Sequence, residues 1–262
     1  MLNPIALKLG PISVHWYGIS YAVALAVGIF ILIKLNKKAK AFKNSEQIFD
    51  FAFWLFLIGV IVGGRLGYVL FYNLPYYIEK PLSIFKIWEG GMSFFGGLIG
   101  AALVVYFFCK KNKIDFLKAG DIIVMPSALA LFFTRIANFI NHELVGRTIE
   151  NHKWDWLGVD FGDGVLRYPS QLFQSADSLI LFLILLFIHS RRPKKGTVLF
   201  SYLTLYGLFR FITEFWRAPD PQIGFILGYL TLGQLLGLAL CLAGIAGLAA
   251  LLLRPGRNLV NH

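Results

Sequence analysis

Apolar residues in this chain come in seven long runs separated by short polar segments. The runs cover about 14–33, 48–71, 92–109, 121–140, 172–189, 197–216 and 227–252. Each is near the roughly 20 residues that an α-helix needs to cross the hydrocarbon core of a bilayer. The pattern predicts an all-α polytopic membrane protein with about seven transmembrane helices, forming one helical domain over 1–262. No room is left for a separate soluble domain. The longest connection, 141–171, is expected on the external side, and long connections in compact proteins are often functional.

Composition agrees with this. The chain is 57% hydrophobic and 15% charged, whereas soluble domains run near 45–50% and about 25%. A net charge of +11 raises the question of nucleic acid, and its distribution answers it. Lys34, Lys37, Lys38, Lys40 and Lys43 follow the first run, and Lys110, Lys111, Lys113 and Lys118 follow the third. Arg191, Arg192, Lys194 and Lys195 follow the fifth, and Arg254 and Arg257 the seventh. If the spans alternate, all of these lie on one side. The other side carries Lys8, Lys80, Lys86, Arg147, Lys153, Arg167 and Arg217. The positive-inside rule then puts the N-terminus outside and the C-terminus in the cytoplasm, with no nucleic-acid partner required. The first run is too long for a signal-peptide core, and its positive charge follows rather than precedes it, so it is expected to be retained. Cys109 and Cys241 form neither a disulfide framework nor a metal-ligand spacing. Neither metal nor cofactor is expected.

Three arginines break the apolar runs: Arg65, Arg135 and Arg210. A charge at membrane depth is costly and faces a bundle interior or a polar cavity, which makes it a functional-site hypothesis. Arg135 shares a helical face with Asn138, and Arg210 has Glu214 one turn away. In the predicted topology Arg135 lies about 21 Å along an outward-running span, at roughly 1.5 Å per residue. Tyr206, Arg210 and Glu214 fall in the outer half of another. Arg65 and Tyr68 fall in the outer part of the second, and Asn141, His142 and Glu143 lie at the outer interface. His15, Trp16, Tyr17, Ser93, Phe94 and Phe95 begin inward-running spans. Trp16, Tyr72, Tyr76 and Tyr77 fit an ordinary aromatic belt. The two arginines with polar neighbours fit a cavity.

Gly59, Gly63 and Gly67, and Gly96 with Gly100, repeat at small-xxx-small spacing that lets helix backbones approach closely. Gly90 and Gly91 predict a turn or re-entrant break. A guanidinium fork matches phosphate oxygens, and the abundant anion at that depth is a phospholipid phosphate. The predicted site is therefore a lipid-headgroup cavity. A channel or transporter, the competing class, would carry polar lining through the cytoplasmic half, which here is nearly free of charge.

The stretch Thr134-Arg-Ile-Ala-Asn-Phe-Ile-Asn-His-Glu-Leu-Val-Gly-Arg147 resembles the G-R-x-x-N-F-x-N-G-E-x-x-G-R signature of the bacterial prolipoprotein diacylglyceryl transferase family. In order along the chain, His15-Trp-Tyr-Gly18, Gly63-Gly-Arg-Leu-Gly-Tyr-Val-Leu-Phe-Tyr72, Gly90-Gly-Met-Ser-Phe-Phe-Gly-Gly-Leu-Ile-Gly100, Arg167-Tyr-Pro-Ser-Gln-Leu172 and Tyr206-Gly-x-x-Arg-Phe-x-x-Glu-Phe-x-Arg217 also match. The resemblance covers nearly the whole chain. It implies a multi-pass enzyme of the bacterial inner (cytoplasmic) membrane with its site toward the outer leaflet. Such an enzyme transfers the sn-1,2-diacylglyceryl group of phosphatidylglycerol to the lipobox cysteine thiol of a prolipoprotein signal peptide and releases glycerol phosphate. This is the first step of lipoprotein maturation. On that reading Arg135 and Arg210 bind the phosphate and stabilise its departing charge. Asn138 bonds the headgroup, and Glu143 and Glu214 orient the arginines or accept a proton. Tyr17, Tyr206 and Arg65 help to bind the lipid.

The chain departs from the pattern at several points. Phe95 stands where the family often has a histidine suited to thiol activation, and His142 replaces the glycine of N-G-E. Thr134 precedes Arg135 in place of glycine, Tyr168 stands at a common histidine, and Gln174 stands at a common acid. Phe95 leaves one alternative open, a phospholipid-binding or lipid-transport paralogue without the chemistry.

Overall fold

Helices occupy all seven apolar runs. In the computed structural model, which describes residues 5–9, 12–219, 224–226 and 228–253, the long helices are α1 (Trp16–Ala39), α2 (Ser45–Phe71), α4 (Phe94–Lys111), α5 (Phe116–Ile140), α6 (Ser170–Ser190), α7 (Thr197–Thr213) and α8 (Leu232–Leu253). A short helix α3 (Leu74–Glu79) follows α2. Among the described residues, five helices are long and apolar enough to cross a membrane: Gly18–Ala39, Ser45–Phe71, Phe116–Ile140, Ser170–Ser190 and Leu232–Leu253. Thr197–Thr213 is a shorter apolar helix. Arg254 and Arg257, counted above among the cytoplasmic charges, lie outside the described residues.

Local chemistry sets the ends of these helices. The Asn36 Oδ1 accepts from the amides of Ala41 at 2.9 Å and Phe42 at 2.8 Å, which closes α1. The Asn44 side chain accepts from the Gln47 amide and opens α2, as N-cap side chains do. The sequence places the third run from 92, but the helix starts at Phe94 because the Ser93 Oγ caps the Gly96 amide at 3.1 Å. The sixth run is expected to reach 216. The helix stops at Thr213, and Glu214 to Trp216 form a turn. The seventh is expected from 227, and its helix begins only at Leu232, after a small hairpin of β5 (Phe225–Ile226) and β6 (Leu230–Thr231). Two further hairpins pair Ile5–Leu9 (β1) with Ile12–His15 (β2), and Val159–Asp160 (β3) with Leu166–Arg167 (β4).

The chain packs as two compact units, one of 32–119 and one of 1–31 with 120–262. In the first, the predicted glycine seam joins α2 to α4. A Cβ on Gly67 would lie 2.5 Å from the Gly96 Cα, and one on Gly59 would lie 2.9 Å from the Ala101 Cα. Only hydrogen fits there, so the two backbones touch. Residues 55–62 of α2, beside the seam, are π-helical. Phe42, Phe51 and Phe108 fill the other end, with ring centroids 5.3 Å apart between Phe51 and Phe108.

In the second unit Gly207 lets α7 lie against α8, where an added Cβ would meet the Cys241 amide nitrogen at 2.6 Å. Buried Asp121 on α5 caps the start of α7. Its carboxylate accepts from the Gly196 amide at 2.7 Å and the Leu199 amide at 2.8 Å. The Ser175 Oγ on α6 donates to the Phe132 carbonyl on α5 at 3.2 Å. These ties fix α5, α6, α7 and α8 relative to one another, and the polar residues they carry converge.

Candidate active site

Arg135 and Arg210 line one cavity, with Gln174, Asp177, Tyr206 and Thr213 among its other walls. The fold thus brings these two arginines and Tyr206 to one place. Arg135 projects from α5, and its Nη1 donates to the Asn138 Oδ1 at 3.3 Å. The Asn138 Nδ2 in turn donates to the Glu143 Oε2 at 3.1 Å. Asn138 is buried and Glu143 is exposed, so the chain of contacts runs from the cavity to the surface. The turn after α5 makes this possible. His142 has φ 57°, in the left-handed region, where histidine is tolerated better than most residues and glycine best. This conformation accounts for the glycine of the family pattern at that position. The His142 ring itself packs against Phe161, with centroids 5.6 Å apart.

Glu214 is the buried hub of the other half. Its side chain is only 2% exposed. The Oε2 lies 2.9 Å from the Arg210 Nη1, and the Oε1 lies 3.3 Å from the Arg217 Nη1. The Thr231 Oγ1 adds a hydrogen bond to Oε1 at 3.1 Å. A carboxylate so far from solvent is tolerable only with cations and donors around it. Gly233 on α8 permits the arrangement, since a Cβ there would lie 2.6 Å from the Glu214 Oε1 and 2.8 Å from the Arg210 Nη2.

Arg217 corrects the sequence reading, which treats it as a basic loop residue. It is buried, and its backbone belongs to a small three-segment patch. There Gly146 bridges Arg217, and Thr148 bridges Arg167. The Arg147 Nε donates to the Arg217 carbonyl at 3.0 Å. The connection 141–171 is thus stitched to the end of α7 beside the cavity.

Arg65 belongs to the other unit and is committed differently. All five of its N–H groups point at backbone carbonyls. Nε donates to Ile84 at 2.8 Å, and Nη2 to Ser83 at 2.7 Å and Lys86 at 3.1 Å. Nη1 donates to Gly90 and to Gly91, the latter at 3.0 Å. The Tyr77 ring covers the guanidinium, with its centroid 5.3 Å from Cζ. The arginine is 4% exposed and fastens the 83–91 loop. That loop turns through Gly90 (φ 85°) and Gly91 (φ 79°), at the predicted break. Guanidinium has five donors and no more, so this geometry leaves none for a lipid phosphate. Tyr17 lies in the first turn of α1, but its side chain is outside what the structure describes. Phe95 lies in the first turn of α4.

Two cavity residues escape a sequence reading. Gln174 registers there only as a departure from a family acid, and Asp177 carries no signature at all. The available signal is a polar stripe on α6, where Gln171, Gln174, Ser175 and Ser178 are all buried and follow helical spacing. The Gln171 Nε2 donates to the Glu143 carbonyl at 2.7 Å and helps to hold the turn.

A family model described as prolipoprotein diacylglyceryl transferase matches residues 4–250. The chain is 44% identical over 253 residues, 93% of each chain, to the phosphatidylglycerol–prolipoprotein diacylglyceryl transferase of Rickettsia bellii (strain OSU 85-389). It is 46% identical over 249 residues to the protein of the same name from Rickettsia typhi, covering 93% of this chain and 94% of that one. To that of Francisella tularensis subsp. holarctica (strain FTNF002-00 / FTA) it is 39% identical over 263 residues, covering 98% and 96%.

Proposed function

The chain belongs to the prolipoprotein diacylglyceryl transferase family, and on that premise we propose how its residues carry the reaction. The diacylglyceryl group of phosphatidylglycerol passes to a prolipoprotein. The acceptor is the thiol of a lipobox cysteine. Its sulfur attacks the glyceryl carbon that bears the phosphate ester, a C–S bond forms, the C–O bond breaks, and glycerol phosphate leaves. The observation that carries this reading is the pair of arginines in one cavity, each held by polar side chains.

Charge develops on the phosphate oxygens as the C–O bond lengthens. Fixed guanidinium donors aimed at those oxygens need no reorganisation at the moment of reaction. Arg135 and Arg210 serve here, and each fork can meet two oxygens. Asn138 steadies Arg135 and contributes to headgroup binding. Both oxygens of Glu214 are occupied by Arg210, Arg217 and Thr231, so its role is to position Arg210. Glu143 is exposed and linked to the cavity through Asn138, which suits it to accept the thiol proton. Tyr206, stacked on Tyr202 with centroids 5.6 Å apart, and Tyr17 bound the lipid. Arg65 acts through the loop it fastens.

The protein works as a multi-pass enzyme of the bacterial inner membrane with seven spans. Its N-terminus is outside, its C-terminus is cytoplasmic, and its cavity opens toward the outer leaflet. The lysine and arginine distribution supports this orientation. The test is a membrane assay with phosphatidylglycerol and a lipobox peptide, following the thioether-linked product by mass. Product is expected. Arg135→Ala should lower its rate by about 10²–10³-fold, the usual cost of an electrostatic donor. Phosphatidylglycerol binding without any product from the wild-type chain would overturn the proposal.

A further inference from the structure

The transfer chemistry uses the arginines and leaves two cavity groups unexplained. Gln174 is 6% exposed, and its Nε2 has no hydrogen-bond partner. The Asp177 Oδ2 is also buried and makes no hydrogen bond, because the hydroxyl of nearby Thr213 donates to the Phe209 carbonyl at 2.9 Å instead. Both residues line the same cavity as Arg135 and Arg210. Neighbours at i and i+3 on one helix, they share a face about 5–6 Å apart. A buried donor and a buried acceptor left without partners are each costly, by about 1–3 kcal/mol, unless a ligand satisfies both.

The phosphate diester of a lipid is ionised and offers acceptors only. It can satisfy the Gln174 amide but not the Asp177 carboxylate. An ammonium headgroup offers donors only. It would meet Asp177, leave Gln174 without an acceptor, and set a cation beside two guanidiniums. A trimethylammonium group offers neither donor nor acceptor. A hydroxyl is both, and a polyol headgroup places several hydroxyls within reach of two side chains one helical turn apart.

We propose that Gln174 and Asp177 form the headgroup-reading subsite of this cavity and bind the hydroxyls of a polyol headgroup beside the phosphate held by Arg135 and Arg210. This inference rests on the transferase reading above and adds to it the source of lipid choice. Asp177 accepts from a glycerol hydroxyl, and the Gln174 Nε2 donates to a glycerol oxygen. Sites that hydrogen-bond a substrate hydroxyl discriminate strongly against analogues that lack it, because their own polar groups are then stranded.

The experiment uses the full-length protein and compares two lipids with identical acyl chains. Phosphatidylglycerol is the substrate. Phosphatidic acid, which carries the phosphate without the polyol, is a competitor that reports on the arginines and on an intact cavity. Gln174→Met and Asp177→Ala should each raise KM for phosphatidylglycerol about fivefold, the worth of one hydrogen bond. The kcat should stay within about twofold and the inhibition constant of phosphatidic acid should not move, which is the signature of lost ground-state binding. An unchanged KM would overturn the proposal, as would a parallel rise in KM and in the phosphatidic acid constant, which means general damage to the cavity. Should Asp177→Ala fail to fold, the volume-conserving Gln174→Met carries the comparison by itself. Failure of the transferase reading looks different, since the wild-type chain would then give no product from phosphatidylglycerol at all.

Discussion

The Glu214 carboxylate sits 2.9 Å from the Arg210 guanidinium, one helical turn away and almost wholly out of solvent. The same carboxylate meets Arg217 through its other oxygen. Arg210 is thereby aimed into the cavity by a group that cannot itself be spared. Glu214→Gln keeps the shape and removes the charge. Because it leaves buried guanidiniums uncompensated, it should cost about 3–5 kcal/mol of stability and lower the transfer rate about 10²-fold. Thermal unfolding in detergent and the lipobox-peptide assay read the two effects. Full activity in a stably folded variant would remove Glu214 from the positioning role.

Gly233 offers a cleaner separation of stability from activity. Alanine is normally the better helix residue by about 1 kcal/mol, yet its Cβ would press on both Glu214 and Arg210. Gly233→Ala should therefore leave the melting temperature near wild type while lowering kcat about 10²-fold, the cost of misplacing a catalytic group by a fraction of an ångström to an ångström. Unaltered kcat would show that the pair yields without consequence.

Arg65 makes a contrasting case. Lysine preserves its charge but brings three donors to the carbonyls that five now serve. Arg65→Lys should loosen the 83–91 loop and destabilise its unit by about 3 kcal/mol. The change should be visible as faster limited proteolysis at that loop with or without lipid present. Cleavage that differs from wild type only when phosphatidylglycerol is bound would instead make Arg65 a lipid ligand.

The hairpin of β3 and β4 gives a pH test. Hydrogen bonding from Arg167 holds the Asp163 carboxyl below its ordinary value, with backbone amides assisting. A depressed folded-state value means that the stabilisation is fully present above the unfolded carboxylate range, near pH 4. It is lost as pH falls through the lower folded value. Hydrogen exchange over 159–167 should be slower at pH 7 than in acid below that folded value, and Asp163→Asn should exchange faster than the wild type at pH 7. Identical protection in the two proteins at pH 7 would rule the pair out as an organiser of the hairpin.

Much of this was legible in the chain. Helix positions followed from apolar runs, because a bilayer-length stretch without charge has few other stable forms. The glycine seam followed from its four-residue spacing. Arg135, Asn138, Arg210 and Glu214 declared themselves because polar groups at such depth need a reason, and their pairings obey the i,i+3 and i,i+4 geometry of a single helix. The helix ends were misjudged where a cap or turn intervened, as at Ser93 and Glu214, since hydropathy does not register one hydrogen bond.

The sequence by itself determined the family, the helices and the local pairs on each helix, because all of these depend on short-range pattern. Tertiary structure alone decided the rest. It put Arg217 against Glu214, spent every donor of Arg65 on a loop up to 26 residues away, and turned Gln174 and Asp177 toward the arginines. Those outcomes depend on which helix faces meet, and a side chain's partner across a helix interface is set by close packing of two backbones rather than by its neighbours along the chain.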